Sequence, residues 1–178
     1  LNKHNLFGTQ VKISSDCKLV AISSPGAYNN DGNSNTGIGN VELYDISFSE
    51  TNSIYNVSLL YNSDLSSNNQ LIMFNNGSNV GQQMALTKIN ELNDIYGLTL
   101  GVANDNMGMM YKFNSNTSNI INRVKFPPNN YALDISYGSS IFYSSYDAEQ
   151  SVLGISALGD ESVYLYYNND STFNVKGN

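Results

Sequence analysis

The sequence has 178 residues and a formal net charge of −7, and 40% of its residues are hydrophobic against 13% charged. Its 8 lysine and arginine residues are scattered, which excludes the basic surface that binding to nucleic acid or an anionic membrane requires. One cysteine excludes an intrachain disulfide framework, and no run approaches the ~18 apolar residues of a membrane-inserting helix. The composition is that of a folded chain, and its 13 tyrosines suit strands with one buried and one wet side.

The opening stretch predicts a unit of four strands. Apolar residues alternate with polar ones in 6–16 and in 19–27, a polar loop follows at 29–39, and a third alternating run occupies 41–46. Residues 53–61 predict a fourth, outer strand. Turn residues end each run, which favours antiparallel pairing.

A second unit follows the same order. Gly81 takes the place of Gly8, residues 96–103 correspond to the second strand, and 109–113 correspond to the third. Residues 120–126 predict another outer strand, which a pair of prolines ends because proline cannot donate to a sheet ladder.

A methionine cluster lies in the second unit. Alternation along a strand puts Met109 and Tyr111 on one face, and Met110 and Lys112 on the other. We expect these side chains to pack in the core. The alternative is that the flexible methionine side chains form a surface that binds a partner. Residues 82–92 lack a helix cap and are interpreted as a strand followed by a turn.

The third unit is clearest at its start. Residues 137–145 align with the first strand of the opening unit, 151–157 form the second strand, and 163–167 form the third. The tail at 168–178 is predicted to be a loop or an incomplete further strand.

Marker glycines at positions 8, 81 and 138 indicate a repeat with surface loops of variable length. We therefore predict an all-β fold with about four antiparallel strands in each of three units. The chain is interpreted as one repeat domain over residues 1–178, with units at approximately 6–74, 75–130 and 131–178. Such units bury their faces against each other, which favours stacked blades or a sandwich.

Three segments of the first unit carry a resemblance to a known family. Residues 7–13 read Phe-Gly-x-x-Val-x-Ile, 19–25 end in Ser-Ser-Pro where the family has Gly-Ala-Pro, and 39–44 read Gly-Asn-Val-Glu-Leu-Tyr. Together they resemble an FG-GAP repeat, the blade of the integrin alpha-subunit β-propeller. The resemblance implies β-propeller-like blades. Because family propellers usually close with seven blades, three units imply an incomplete ring or part of a larger assembly.

The loop of the first unit is the candidate metal site. It places oxygen-bearing side chains at alternate positions around Gly32, and a hard cation such as Ca²⁺ prefers oxygen ligands. The resemblance also implies calcium, because FG-GAP loops often bind it. A plain surface turn rich in Asn and Gly is the alternative. The candidate ligands are Asn29, Asp31, Asn33 and Asn35.

Four N-x-S/T sequons are candidate glycosylation sites, at Asn56, Asn76, Asn116 and Asn169, and chance occurrence in a chain rich in Asn and Ser is the alternative. Their use requires a secretory route. We therefore expect an extracellular, cell-surface or virion-surface location.

Catalysis finds little support in the sequence. His4 is the single histidine and has no evident partner, and Cys17 lies in a predicted turn far from it. A Ser/His/Asp or Cys/His arrangement is therefore not expected. A carboxylate pair for glycoside hydrolysis stays open, since Asp and Glu total 15.

The leading hypothesis is a non-enzymatic, extracellular or particle-surface module for adhesion or protein–protein assembly. Rigid blades would display polar loops to a protein partner or to copies of the same chain. Two alternatives remain: a structural subunit of a viral or cell-surface assembly, and a carbohydrate-binding protein that uses tyrosine platforms for glycans.

Overall fold

A computed structural model of the protein describes most of the chain. The described residues are 6–25, 39–62, 79–90, 94–102, 106–117, 119–126, 136–145, 151–169 and 172–177. They form twelve strands in three four-stranded sheets, and every strand pair is antiparallel. The prediction of an all-β fold built from three blade-like units is confirmed.

Each sheet pairs its strands in chain order. The first sheet consists of β1 (Val11–Ile13), β2 (Leu19–Ser24), β3 (Asn40–Ser49) and β4 (Ile54–Asn62). The second consists of β5 (Gln83–Asn90), β6 (Ile95–Val102), β7 (Met107–Asn114) and β8 (Asn119–Phe126). The third consists of β9 (Tyr137–Ser145), β10 (Ser151–Ala157), β11 (Ser162–Asn169) and β12 (Thr172–Gly177). A single 3-10 turn at Leu158–Asp160 joins β10 to β11.

The sheets stack face against face, with their first strands side by side. We call the side of a sheet that meets the preceding sheet its front face, and the opposite side its back face. The front face of the first sheet is the side opposite to the one that packs on the second sheet. The back face of the first sheet packs on the front face of the second in one core cluster. Its members include Leu19, Val41 and Leu43 from the first sheet and Met84, Leu86, Tyr96, Leu98, Leu100, Met109, Tyr111 and Phe113 from the second.

A second cluster joins the second and third sheets. Ala85, Met110 and Phe126 supply the back face of the second sheet to it. The front face of the third sheet contributes Tyr137, Ile141, Leu153, Ile155 and Tyr166. The middle sheet is therefore covered on both sides, which is why β6 and β7 read as nearly continuous buried runs.

The same turn precedes each sheet. A residue in the left-handed region stands two positions before a glycine with positive φ. The carbonyl oxygen of that first residue accepts a hydrogen bond from the residue that follows the glycine. The first position holds Leu6, Asn79 and Ser136, and the second holds Gly8 (φ 85°), Gly81 (φ 88°) and Gly138 (φ 92°). The three marker glycines are thus equivalent in conformation as well as in sequence.

Several predictions from the sequence are confirmed, and two segments form more strand than predicted. Residues 83–90 form a strand rather than a helix. Met109 lies in the first core cluster and Met110 in the second, as alternation predicts. β3 continues three residues beyond the predicted end at 46, because Phe48 and Ser49 pair with the start of β4. The tail supplies a fourth strand, Thr172–Gly177, paired with β11.

Candidate functional site

The predicted metal ligands Asn29, Asp31, Asn33 and Asn35 lie outside the described residues, and so do His4 and the sequon at Asn76. Within the described ranges, no three His, Cys, Asp or Glu side chains come together as a metal site. The same part of the chain contains no helix long and apolar enough to cross a bilayer.

The remaining sequons fall on or beside strands. Asn56 is exposed on β4, and Asn169 ends β11. Asn116 is exposed in the turn between β7 and β8, where its side-chain amide donates to Asp94 Oδ2 at 3.2 Å. Cys17 is exposed in the turn between β1 and β2.

The most distinctive surface is the front face of the first sheet, which we call the open face. Strand register puts its side chains on one side, since Val11 pairs with Ile22, Ile46 with Val57, and Phe48 with Tyr55. The large apolar side chains exposed there are Val11, Ile13, Phe48, Tyr55, Val57 and Leu59. Val20, Ile22, Tyr44 and Ile46 lie half-buried between them. No other described sheet covers this face.

The position of Val11 is buried in both other sheets, and that of Ile13 is buried in the second sheet and half-buried, as Tyr143, in the third. Val11 is 52% exposed, whereas its counterparts Met84 and Ile141 are 1% and 9% exposed. Ile13 is 57% exposed and its counterpart Leu86 is 8% exposed. The difference arises from the preceding sheet, which covers the second and third front faces. The open face therefore has the composition of an interface without the sheet that would cover it.

The glycine turn shows the same contrast. A Cβ added to Gly81 would lie 2.7 Å from Ser23 Cβ, and one added to Gly138 would lie 2.5 Å from the Met107 carbonyl oxygen. Both turns are thus pressed against the preceding sheet. A Cβ on Gly8 would meet nothing within 4 Å. Phe7, beside it, is exposed although its counterparts Val80 and Tyr137 are buried.

The back face of the third sheet is the other uncovered end of the stack. Phe142 and Val163 are 49% and 44% exposed there, with Val152 and Leu165 half-buried beside them. The Phe142 ring lies across Gly154, where a Cβ would be 1.9 Å from a ring carbon. Val41 is the counterpart of Val163 in the first sheet, and Met110 is the counterpart of Leu165 in the second. Both are fully buried.

A polar cluster crosses the junction of the first and second sheets. Lys88 on β5, with a side chain only 5% exposed, pairs with Asp16 Oδ2 at 3.2 Å and Asp94 Oδ1 at 3.3 Å. Asp16 also accepts from the Tyr96 hydroxyl at 2.5 Å and from the Ser14 hydroxyl at 2.6 Å. The two carboxylates pair with the buried Lys88 ammonium. A buried charge without such partners would strongly destabilise the fold.

The hydrogen bonds control the ionisation of Asp16. Burial alone would raise its pKa, but the bonds from Ser14, Tyr96, the Lys18 amide and Lys88 outweigh it and lower the pKa to about 2. The pKa of Asp94 is also lowered, by Asn116 and Lys88. Both carboxylates are therefore charged at neutral pH and accept hydrogen bonds from neighbouring donors. This arrangement favours a structural link between the two sheets rather than proton transfer.

A cleft of about 530 Å³ opens beside this cluster. Asp16, Asp45, Asp94 and Asn116 supply its polar side, and Phe48 with Tyr55 supplies its aromatic side. The two rings lie 5.0 Å apart between centroids. No sequence motif predicts this site, because Asp16 and Lys88 are far apart in the chain and each stands in a polar or mixed segment.

A scan of protein-family models finds no match for this chain, and a search of the curated proteins finds none. The FG-GAP resemblance of residues 6–46 therefore stays a prediction.

Proposed function

We propose that the chain is a non-enzymatic module for adhesion or protein–protein assembly, built as β-propeller-type blades. Its docking surface is the open face of the first sheet. The observation that carries this proposal is the exposure of Val11 at a position where the equivalent Met84 is buried by a neighbouring sheet. A buried apolar side chain of this size is worth about 1.5–3 kcal/mol, so a partner sheet gains considerable free energy by covering the face.

The shape and chemistry of the open face support a protein partner. Contiguous exposed apolar surface on a soluble protein marks an interaction site. Tyr55, Phe48 and the branched side chains around them match the aromatic and apolar centre of a typical interface. The face lies on a rigid antiparallel sheet, so little conformational entropy is lost on docking.

An extracellular, cell-surface or virion-surface location belongs to the same proposal. The exposed sequons Asn56 and Asn116 are compatible with glycans at those positions. Work as a structural subunit of a viral or cell-surface assembly is the form of this function in which neighbouring copies supply the partner. An enzymatic role gains no support from the Asp16 cluster, whose carboxylates are already occupied by Lys88 and Tyr96.

Sedimentation velocity on three purified chains tests the docking surface. Wild type is expected to associate as its concentration rises, whereas Val57→Asp should remain monomeric because a charge would be buried at the contact. Ile54→Asp is the matched control, since Ile54 is 51% exposed on the same strand but lies on the back face. A Val57→Asp chain that associates as well as wild type contradicts the proposal.

Carbohydrate binding is a second candidate, favoured by the cleft that joins the Phe48–Tyr55 ring pair to Asp45 and Asn116. Sugar rings stack on aromatic faces while carboxylates and amides bond to their hydroxyls. Glycan-array binding that Tyr55→Ala abolishes would establish this role. An array without any signal would remove it.

A further inference from the structure

We propose that the partner of the open face is a second copy of this chain, joined head to tail. The back face of the third sheet of one copy covers the front face of the first sheet of the other. This inference rests on the proposed function, because it names the occupant of the same docking surface. Both contact surfaces lie on described residues of the chain.

The two internal junctions are the template for this contact. In each, an apolar back face meets an apolar front face of the following sheet. The chain thus builds one kind of interface twice and leaves one half of it uncovered at each end. The first sheet lacks a partner for its front face, and the third sheet lacks a partner for its back face, within the described structure.

The glycine turn specifies where the copies meet. Gly81 docks against the start of β3, at Asn40 and Val41, and Gly138 docks against the end of β6 and the start of β7, at Val102 and Met107. The corresponding place in the third sheet is the end of β10 and the start of β11. Gly8 of the other copy is therefore expected to lie against Ala157, Ser162 and Val163.

Apolar side chains are available on both sides of this contact. Phe7 is exposed on one side at the position that Val80 and Tyr137 fill in the internal junctions. Phe142 and Val163 are exposed on the other side, and the Phe142 ring lies over Gly154. Covering these side chains together removes large apolar areas from water, which is the main driving force of association.

The two surfaces differ, so the contact is heterologous. Heterologous contacts close into rings when the rotation permits and otherwise continue as filaments. Two copies contribute six blade-like sheets, which lies within the roughly four to eight blades of closed propellers. Head-to-tail pairing at both ends would then leave no apolar end face exposed.

Two single-face variants test the inference by sedimentation velocity. Val11→Asp alters the front face of the first sheet, and Val163→Asp alters the back face of the third. Each variant alone is expected to be monomeric, since every contact it makes with its own copies contains the charge. An equimolar mixture should form a dimer through its one unaltered pair of surfaces, with a Kd at least tenfold weaker than wild type. Ile54→Asp is the control and should assemble like wild type, and thermal unfolding checks that each variant folds.

The outcomes separate this inference from the proposed function. Loss of association in Val11→Asp but not in Val163→Asp would overturn the head-to-tail pairing and leave the open face as a docking surface. A mixture that stays monomeric would overturn the pairing as well. A wild-type chain that is monomeric throughout would overturn the pairing and leave the open face to a different protein partner.

Discussion

Val11 and Met84 occupy the same position in successive sheets, yet Val11 is 52% exposed and Met84 is 1% exposed. The two side chains differ little in hydrophobic character, so their surroundings cause the difference. Met84 packs on the back face of the first sheet, and Val11 has no described sheet in front of it. The stack of three sheets therefore contains two back-to-front interfaces, and within the described structure one surface is left uncovered at each end.

Truncating these two residues should have very different effects on stability. Met84→Ala leaves a cavity between two sheets and is expected to lower the free energy of unfolding by about 2–5 kcal/mol. Val11→Ala should change it by about 0.5 kcal/mol or less in dilute solution. Urea unfolding followed by tyrosine fluorescence measures both values. Equal losses would show that the open face is covered within the single chain.

The glycine turns give a second comparison. Alanine at Gly8 should cost about 1–2 kcal/mol, because only its positive φ opposes a side chain. Alanine at Gly81 also places a Cβ 2.7 Å from that of Ser23, which forces the two sheets apart and should add about 1–3 kcal/mol. Thermal unfolding of the two variants ranks them. A Gly8 variant as unstable as the Gly81 variant would contradict the stacked arrangement.

The Asp16–Lys88 cluster predicts a dependence of stability on pH. The pKa of Asp16 falls from its ordinary value of 3.8 to about 2 on folding. The charged carboxylate therefore stabilises the fold above pH 3.8, and this contribution is lost as the pH falls through about 2. Asp16→Asn should lower stability at neutral pH by roughly 1–3 kcal/mol and weaken the acid dependence in that window.

Ser14→Ala gives an intermediate test of the same cluster, because it removes one donor to Asp16 and leaves Lys88 and Tyr96 in place. The acid transition should move toward higher pH than in wild type. Thermal unfolding at several pH values follows both variants. Identical acid transitions in wild type and Asp16→Asn would exclude this account of the cluster.

Calcium binding by Asn29, Asp31, Asn33 and Asn35 stays a prediction from the sequence. One carboxylate among amides should bind weakly, at about 10⁻⁴–10⁻³ M, as in extracellular modules. Calorimetric titration should then show binding that Asp31→Asn removes. Absence of heat together with absence of a thermal shift in wild type would rule out the site.

Local signals in the sequence predicted much of the fold. The alternation of Met109 and Met110 correctly placed the two side chains in different core clusters. The recurring glycine revealed the repeat because only a residue without Cβ accepts the positive φ and close approach found at Gly81 and Gly138. Both features are carried by short segments of the chain, so they can be recognised without a structure.

Long-range features could not be predicted in the same way. Alternation shows that Val11 and Ile13 share a face, but whether that face is covered depends on how the sheets stack. The Asp16–Lys88 pair joins a turn of the first sheet to a strand of the second, and its two sequence segments carry no shared motif. The candidate interaction surface is therefore visible only in the three-dimensional structure.

The most direct test of the central claim is the mass of the unmodified chain in solution. Multi-angle light scattering over a range of concentrations should give a mass at least twice the 19.5 kDa of one chain, because the open face is covered by another copy. A mass of 19.5 kDa at every concentration would contradict the claim.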